Sequence, residues 1–209
     1  VARILANIFK SLGLLSKGQL IEVERSQLVA SYVGQTSKLT NKVVDSAIGG
    51  VLFIDEAYTL YSESGSDFGK EAIDTILKRM EDDRGKFIII AAGYTNEMNT
   101  FLSMNPGLDS RFTKRIHFED YYPEDMVLIF KKMVNDKGMS ISPELNQSLP
   151  AFFNKLFEER DDNFGNARTV RNIFEKTLQS QSDRIAKMLD SPDFSEEKIN
   201  KIDLEDFQL

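Results

Sequence analysis

Four large apolar residues, Val51, Leu52, Phe53 and Ile54, run without interruption into two carboxylates, Asp55 and Glu56. A strand covered by helices on both faces shows such a run, whereas a half-exposed strand alternates apolar and polar positions. The run therefore predicts a buried parallel strand over residues 51–55, and FIIIAAG at 87–93 predicts a second of the same type. A shorter strand is expected at LIEV, residues 20–23. Helical spacing fills the intervals. Val1, Ile4, Leu5, Ile8 and Leu12 share one face of an opening amphipathic helix near whose end Gly13 lies, and Leu39, Val43 and Ala47 mark a helix over about 37–48. Ala72, Ile73, Ile76, Leu77 and Met80 mark another, ended by Asp82, Asp83 and Gly85. SESGSDFG at 62–69 reads as a loop, and a short helix and an NPG turn at 105–107 follow the second buried strand. Strand, helix, strand, helix, strand is the α/β alternation of a doubly wound sheet.

From Pro123 the character changes. Residues 123–137, 143–159 and 166–189 all carry helical periodicity, and Pro123 and Pro143 suit a first helical turn. The expected division is a sheet domain over 1–121 and a small helical domain over 122–209, with SPDFSEEK at 191–198 as a polar connection and IDLEDF opening a last short element.

Composition narrows the classes of function. The 209 residues, 41% hydrophobic, are enough for a real core. The longest apolar stretches are five or six residues, and no leader pattern opens the chain, so a cytoplasmic protein without membrane insertion is expected. Cysteine is absent, which excludes disulfides, thiolate metal sites and a cysteine nucleophile. Net charge is −7, with 14 basic against 16 acidic residues up to Tyr121 and 12 against 17 after it. Neither part has the basic excess that nonspecific nucleic-acid binding needs. The single histidine, His117, lies in the alternating stretch RIHFED and lacks a histidine partner, so it reads as a strand residue and not a metal ligand.

Asp55 and Glu56 stand where open α/β sheets bind ligands, and the pair suits a hydrated magnesium ion and an oriented water. An apolar run ending in Asp-Glu is the Walker B pattern. Other chemistry follows in order along the chain. SYVGQT exposes Tyr32 and Val33 beside Gly34; FIIIAAGYTNEM ends the neighbouring buried strand in polar Thr95 and Asn96; NPGLDSRF carries Arg111; FGNARTVRN carries Arg168 and Arg171 near a helix start.

The ordered set LSKGQLIEVER at 15–25, LVASYVGQT at 28–36, GGVLFIDEAYTL at 49–60, DFGKEAIDTILKRMED at 67–82, AAGYTNEM at 91–98, FLSMNPGLDSRF at 101–112 and FGNARTVRN at 164–172 resembles an AAA+ ATPase. The similarity is to the branch containing red-type rubisco activase, the stage V sporulation protein K ATPase and the type VII secretion ATPases. It implies a P-loop NTPase-type parallel sheet flanked by helices, followed by a small all-helical lid. It also implies ATP and Mg2+ as ligands, a protein substrate, and a homo-oligomeric ring of six subunits. Residue by residue, it makes Asp55 the magnesium aspartate and Glu56 the catalytic glutamate. Thr95 and Asn96 are both candidates for sensor 1. Arg111 becomes the arginine finger acting on a neighbouring subunit's nucleotide, with Arg115 as a second candidate. Arg168 becomes the lid arginine that reaches the γ-phosphate, Arg171 sharing the task, and Tyr32, Val33 and Gly34 become the first pore loop. Without the resemblance, Arg111 reads as a surface arginine paired with Asp109 or another acid, and Tyr32 as a packing residue.

In that family a glycine-rich phosphate loop ending in Gly-Lys-Thr immediately precedes a helix like VARILANIF, and Val1 lies past that point. Lacking the loop's amides and lysine, the 209 residues alone are expected not to hydrolyse ATP productively, as a fragment of a competent parent. For the parent the expected function is ATP-driven remodelling of a protein threaded through a ring. The rivals are a nucleic-acid-associated AAA+ ATPase, which the acidic balance disfavours, and a noncatalytic scaffold without a phosphate loop. A carboxylate-pair hydrolase is a distant third, because adjacent residues on a strand point to opposite faces.

Overall fold

The uninterrupted apolar run forms the middle strand of a three-stranded parallel sheet in a computed structural model that describes residues 1–32, 34–61, 68–161, 164–188 and 196–207. Val33, most of the loop expected at 62–69, Leu189 and most of the connection expected at 191–198 lie outside the described residues. In the sheet, β1 (Leu20–Val23) and β3 (Ile88–Ala91) flank β2 (Val51–Ile54). Leu20, Val51 and Ile88 stand abreast at one end, and Val23, Ile54 and Ala91 at the other. Leu20, Val51, Ile88 and Ile90 cluster with Ala6 and Phe9 of α1 (Ala2–Ser11). The alternate residues Val23, Leu52, Ile54 and Ile89 belong to a larger cluster on the other face. Because both faces of β2 are covered, its sequence has no polar alternation.

Two helical faces differ from expectation. On α1 the packed side carries Ala6, which is buried, and half-buried Leu5 and Phe9, while Val1, Ile4, Ile8 and Leu12 are exposed. The small Ala6 side chain lets this helix approach the sheet closely, so it turns that side inward and the larger apolar stripe outward. After α2 (Arg25–Leu28), α3 (Thr36–Ala47) buries Thr36, Thr40, Val44 and Ala47, with Leu39 and Val43 only half-buried. Buried hydroxyls are tolerated because they are paired: Thr40 Oγ1 donates to the Leu28 carbonyl at 2.9 Å, and Thr36 Oγ1 accepts from the Ala30 amide at 3.1 Å.

A short 3-10 turn (Ala57–Leu60) leads from β2 toward α4 (Phe68–Asp82), which packs on α3. Arg79 of α4 ties the two helices, contacting Asp45 at 2.7 Å, Asp83 at 2.6 Å and Asn41 at 3.0 Å. Hydrogen bonds from Lys86 and Arg79 hold the Asp83 carboxyl below its usual range. The strand β3 is half-buried along its length, not fully buried, because among the described strands it pairs only with β2. Beyond it lie α5 (Thr95–Ser103) and α6 (Pro106–Arg111). The expected NPG turn is the start of α6: Asn105 caps it by accepting from the Gly107 amide at 2.8 Å, with Pro106 in the first turn. The strand expected through RIHFED does not form. Ile116 and Phe118 are both 65% exposed, and no described strand lies alongside to satisfy their backbone groups.

Contacts divide the chain into Val1–His117 and Phe118–Leu209. The second unit contains α7 (Pro123–Asp136), β4 (Ser140–Ile141), α8 (Pro143–Glu158), α9 (Ala167–Met188), α10 (Glu196–Ile199) and β5 (Lys201–Ile202), then a 3-10 turn (Leu204–Asp206). Its helices surround Phe130, which is fully buried and meets the rings of Phe153, Phe174 and Phe207 at 6.2, 5.9 and 5.5 Å between centroids. Arg184 fastens the end of the chain to α9 through Asp206, at 2.7 and 2.8 Å. Phe130→Ala is expected to cost roughly 3–5 kcal/mol, since it removes a ring and leaves a cavity. Hydrogen exchange of the α7, α8 and α9 amides in the complete protein would register this as a loss of protection of roughly a hundredfold to a few thousandfold. No helix among the described residues is long and apolar enough to cross a membrane.

Candidate functional site

β2 ends at Ile54, and the Asp55 amide still donates to the Val23 carbonyl of β1 at 2.9 Å, so Asp55 is held at the carboxyl end of the sheet. Glu56 then takes a left-handed conformation, φ 46 and ψ 47. For a residue with a side chain this costs on the order of 1–2 kcal/mol, and it persists because surrounding bonds over-determine it. The Glu56 amide donates to Asp55 Oδ1 at 3.0 Å, and the Glu56 carbonyl accepts from both the amide and the hydroxyl of Thr59, at 2.8 and 2.7 Å. The Ala57 amide reaches across to the Ala92 carbonyl at 3.0 Å, pinning the turn to the end of β3. Both carboxylates are exposed.

Beside them, Tyr58 lies against Gly93, where a Cβ would come within 2.7 Å of its ring, and its centroid is 6.4 Å from that of Tyr94. Burial pushes the Tyr58 phenol above its ordinary value, and the charges of Glu56, Tyr94, Glu97 and Asp55 add to that. The turn is thus a negatively charged environment that favours a cation. No cluster of three or more His, Cys, Asp or Glu suited to a metal ion occurs among the described residues. One carboxylate at a sheet edge fits magnesium, which keeps waters and takes oxygens from a phosphorylated substrate instead of filling a protein cage.

Thr95 and Asn96 do not end a strand as expected. β3 stops at Ala91, and both residues belong to the first turn of α5. Thr95 Oγ1 lies 3.4 Å from His117 Nδ1, whereas Asn96 lines a cavity of about 300 Å³ with Tyr58, Tyr61, Glu97, Phe101 and Met104. Asp55, Glu56, Thr95 and Asn96 therefore all follow the carboxyl ends of two neighbouring strands.

Arg111 stands elsewhere. It is the last residue of α6 and lines a cavity of about 440 Å³ with Glu81, Arg84, Phe87 and Ile89, toward the amino end of β3. Its guanidinium is 3.5 Å from Glu81 and makes a long bond of 3.4 Å to the Gly107 carbonyl, and its Nε is buried with no hydrogen-bond partner. Asp109, the acid considered as its partner, instead holds Arg115 at 2.5 Å. In the second unit, Arg168 and Arg171 project from the exposed side of the first turns of α9. Tyr32 is 71% exposed, and Gly34 has φ 74, a value that favours glycine. Thr59, Tyr58 and Glu97 escaped the sequence reading. Only the distance of Thr59 from Asp-Glu, within one turn, hinted at its contact.

Residues 1–120 match the profile of the ATPase family associated with various cellular activities (AAA), and residues 122–209 match that of the AAA lid domain. The chain belongs to the AAA family. This AAA chain is 43% identical over 186 residues to stage V sporulation protein K of Bacillus subtilis, covering 88% of this chain and 58% of that protein. It is 41% identical over 186 residues to the chloroplastic ribulose bisphosphate carboxylase/oxygenase activase of Cyanidioschyzon merolae, covering 88% and 63%. To the ESX-3 secretion system protein EccA3 of Mycobacterium tuberculosis it is 38% identical over 220 residues, covering 99% and 35%. These relatives are the branch that the sequence motifs resemble. The chain spans less than two thirds of the length of each. Among solved structures, the FIGL-1 AAA domain in complex with ADP superposes with a TM-score of 0.61 at 18% identity, covering 90% of this chain and 60% of that one, which establishes the AAA fold.

Proposed function

We propose that the complete protein containing this AAA chain is an ATP-driven, protein-remodelling motor. The observation that carries the reading is the Asp55–Glu56 turn at the carboxyl end of β2, beside Thr95 and Asn96, in a chain whose relatives include an activase. ATP with its Mg2+ supplies a transferable phosphoryl group when bound. Asp55 holds the magnesium ion and Glu56 orients and deprotonates the attacking water. Thr95 or Asn96 contacts the phosphate end, and Arg168 and Arg171 are nucleotide-binding guanidinium groups. Arg111 acts on the neighbouring subunit's nucleotide, which requires a homo-oligomer, with six subunits as the proposed number. Tyr32, with Val33 and Gly34, grips a polypeptide substrate. The protein works in the cytoplasm under this reading.

The acidic net charge of −7 favours a protein substrate over nucleic acid. Addition of a permanently unfolded polypeptide, labelled casein, is expected to raise the ATP turnover of the complete protein, and Tyr32→Ala is expected to remove that rise. Turnover that responds to DNA and not to casein, with steep salt dependence and no effect of Tyr32→Ala, would overturn the reading in favour of a nucleic-acid motor.

A further inference from the structure

The left-handed Glu56 backbone has to be held, and the bonds that hold it are unequal in kind. Three come from backbone or from Asp55, its immediate neighbour: the Glu56 amide to Asp55 Oδ1, the Ala57 amide to the Ala92 carbonyl, and the Thr59 amide to the Glu56 carbonyl. The fourth is the hydroxyl of Thr59, which donates to the same Glu56 carbonyl at 2.7 Å. Thr59 is itself anchored. Its carbonyl accepts a hydrogen bond from Arg25 Nη1, at the first residue of α2. The start of α4 closes over this arrangement: a Cβ at Gly69 would lie 1.9 Å from the Leu60 carbonyl oxygen and 2.8 Å from Arg25 Nη1. The turn is therefore clamped between the end of β2, α2 and α4.

We propose that Thr59 is a positioning residue that fixes the Glu56 carboxylate through the Glu56 carbonyl, with Arg25 holding Thr59 in place. The proposal rests on the reading of Glu56 as the water-orienting group. Thr59 acts through the backbone from which Glu56 projects, and a small displacement of a catalytic group has large kinetic consequences. Arg25 also opens the segment that leads through buried Leu28 to exposed Tyr32. The clamp thus joins the Glu56 turn to the Tyr32 segment within one unit.

The test uses the complete protein with ATP and Mg2+. Thr59→Val, which keeps the branched shape and loses the donor, is expected to lower kcat about tenfold to a hundredfold at unchanged KM and unchanged melting temperature. Thr59→Ser, which restores the hydroxyl, is expected to return kcat to near the wild-type value. In single-turnover measurements, adding Thr59→Val to Glu56→Gln is expected to cause no further loss, because the effect passes through Glu56. Wild-type kcat in Thr59→Val, an equal loss in Thr59→Ser, or the same fold-loss in the Glu56→Gln background would each overturn the proposal. Should Thr59→Val melt lower, the Thr59→Ser comparison and the double variant still decide. Undiminished hydrolysis by Glu56→Gln alone would instead remove the reading of Glu56, a distinguishable failure.

Discussion

Glu56→Gln in the complete protein is expected to bind ATP as the wild type does and to hydrolyse it about 10²- to 10⁴-fold more slowly. The amide is nearly isosteric with the carboxylate, so the left-handed backbone and its bonds to Asp55 and Thr59, which do not involve the side chain, stay as they are. What disappears, on the proposed role of Glu56, is the proton acceptor. Binding of a fluorescent ATP analogue and the rate of phosphate release separate the two effects. Phosphate release within a few fold of wild type would show that another group activates the water.

Arg111→Ala is expected to lower turnover by about 10³-fold, the lower range for an arginine that stabilises charge on a transferring phosphoryl group from a neighbouring subunit. The placement of Arg111 within one chain supports the reading that it acts between subunits. Arg111 lines a cavity with Phe87 and Ile89 near the start of β3, whereas Asp55 follows the end of β2. Its ion pair with Glu81, at 3.5 Å between partly exposed groups, is too weak to hold the guanidinium in place. Mixing Arg111→Ala with Glu56→Gln subunits gives a direct test. Interfaces that combine an intact Glu56 with an intact Arg111 are then formed, and part of the lost activity is expected to return. Two inactive variants that stay inactive on mixing would sink the assignment of Arg111 to the neighbour's site.

The strand formed by the apolar run was legible in the sequence because its environment is uniform. Val51 to Ile54 are covered on both faces, and LIEV at 20–23 was legible at its exact bounds. Misreadings arose where one residue satisfies two demands. Thr36 and Thr40 lie outside the expected face of Leu39, Val43 and Ala47, yet α3 turns them inward, where backbone groups of the preceding segment complete their hydrogen bonds. Asn105 and Pro106 carry the composition of a turn, and the same residues cap and open a helix. The alternation of RIHFED has strand periodicity, but a strand also needs a partner, which periodicity does not report. At the candidate site, the types and order of Asp55, Glu56, Thr95 and Asn96 were legible. Their backbone was not: a left-handed glutamate is invisible in a pattern of apolar and acidic letters, and so is the threonine hydroxyl that meets its carbonyl.

Asn166 shows what such a backbone detail does at a distance. With φ 53 it turns the chain into α9, and its side chain clasps the other end of a long connection, accepting from the Tyr121 amide at 3.1 Å and donating to Asp120 at 2.8 Å. Arg168 and Arg171 follow two and five residues later, so the helix start that carries them is fastened to the backbone at Tyr121 and to Asp120 through one asparagine.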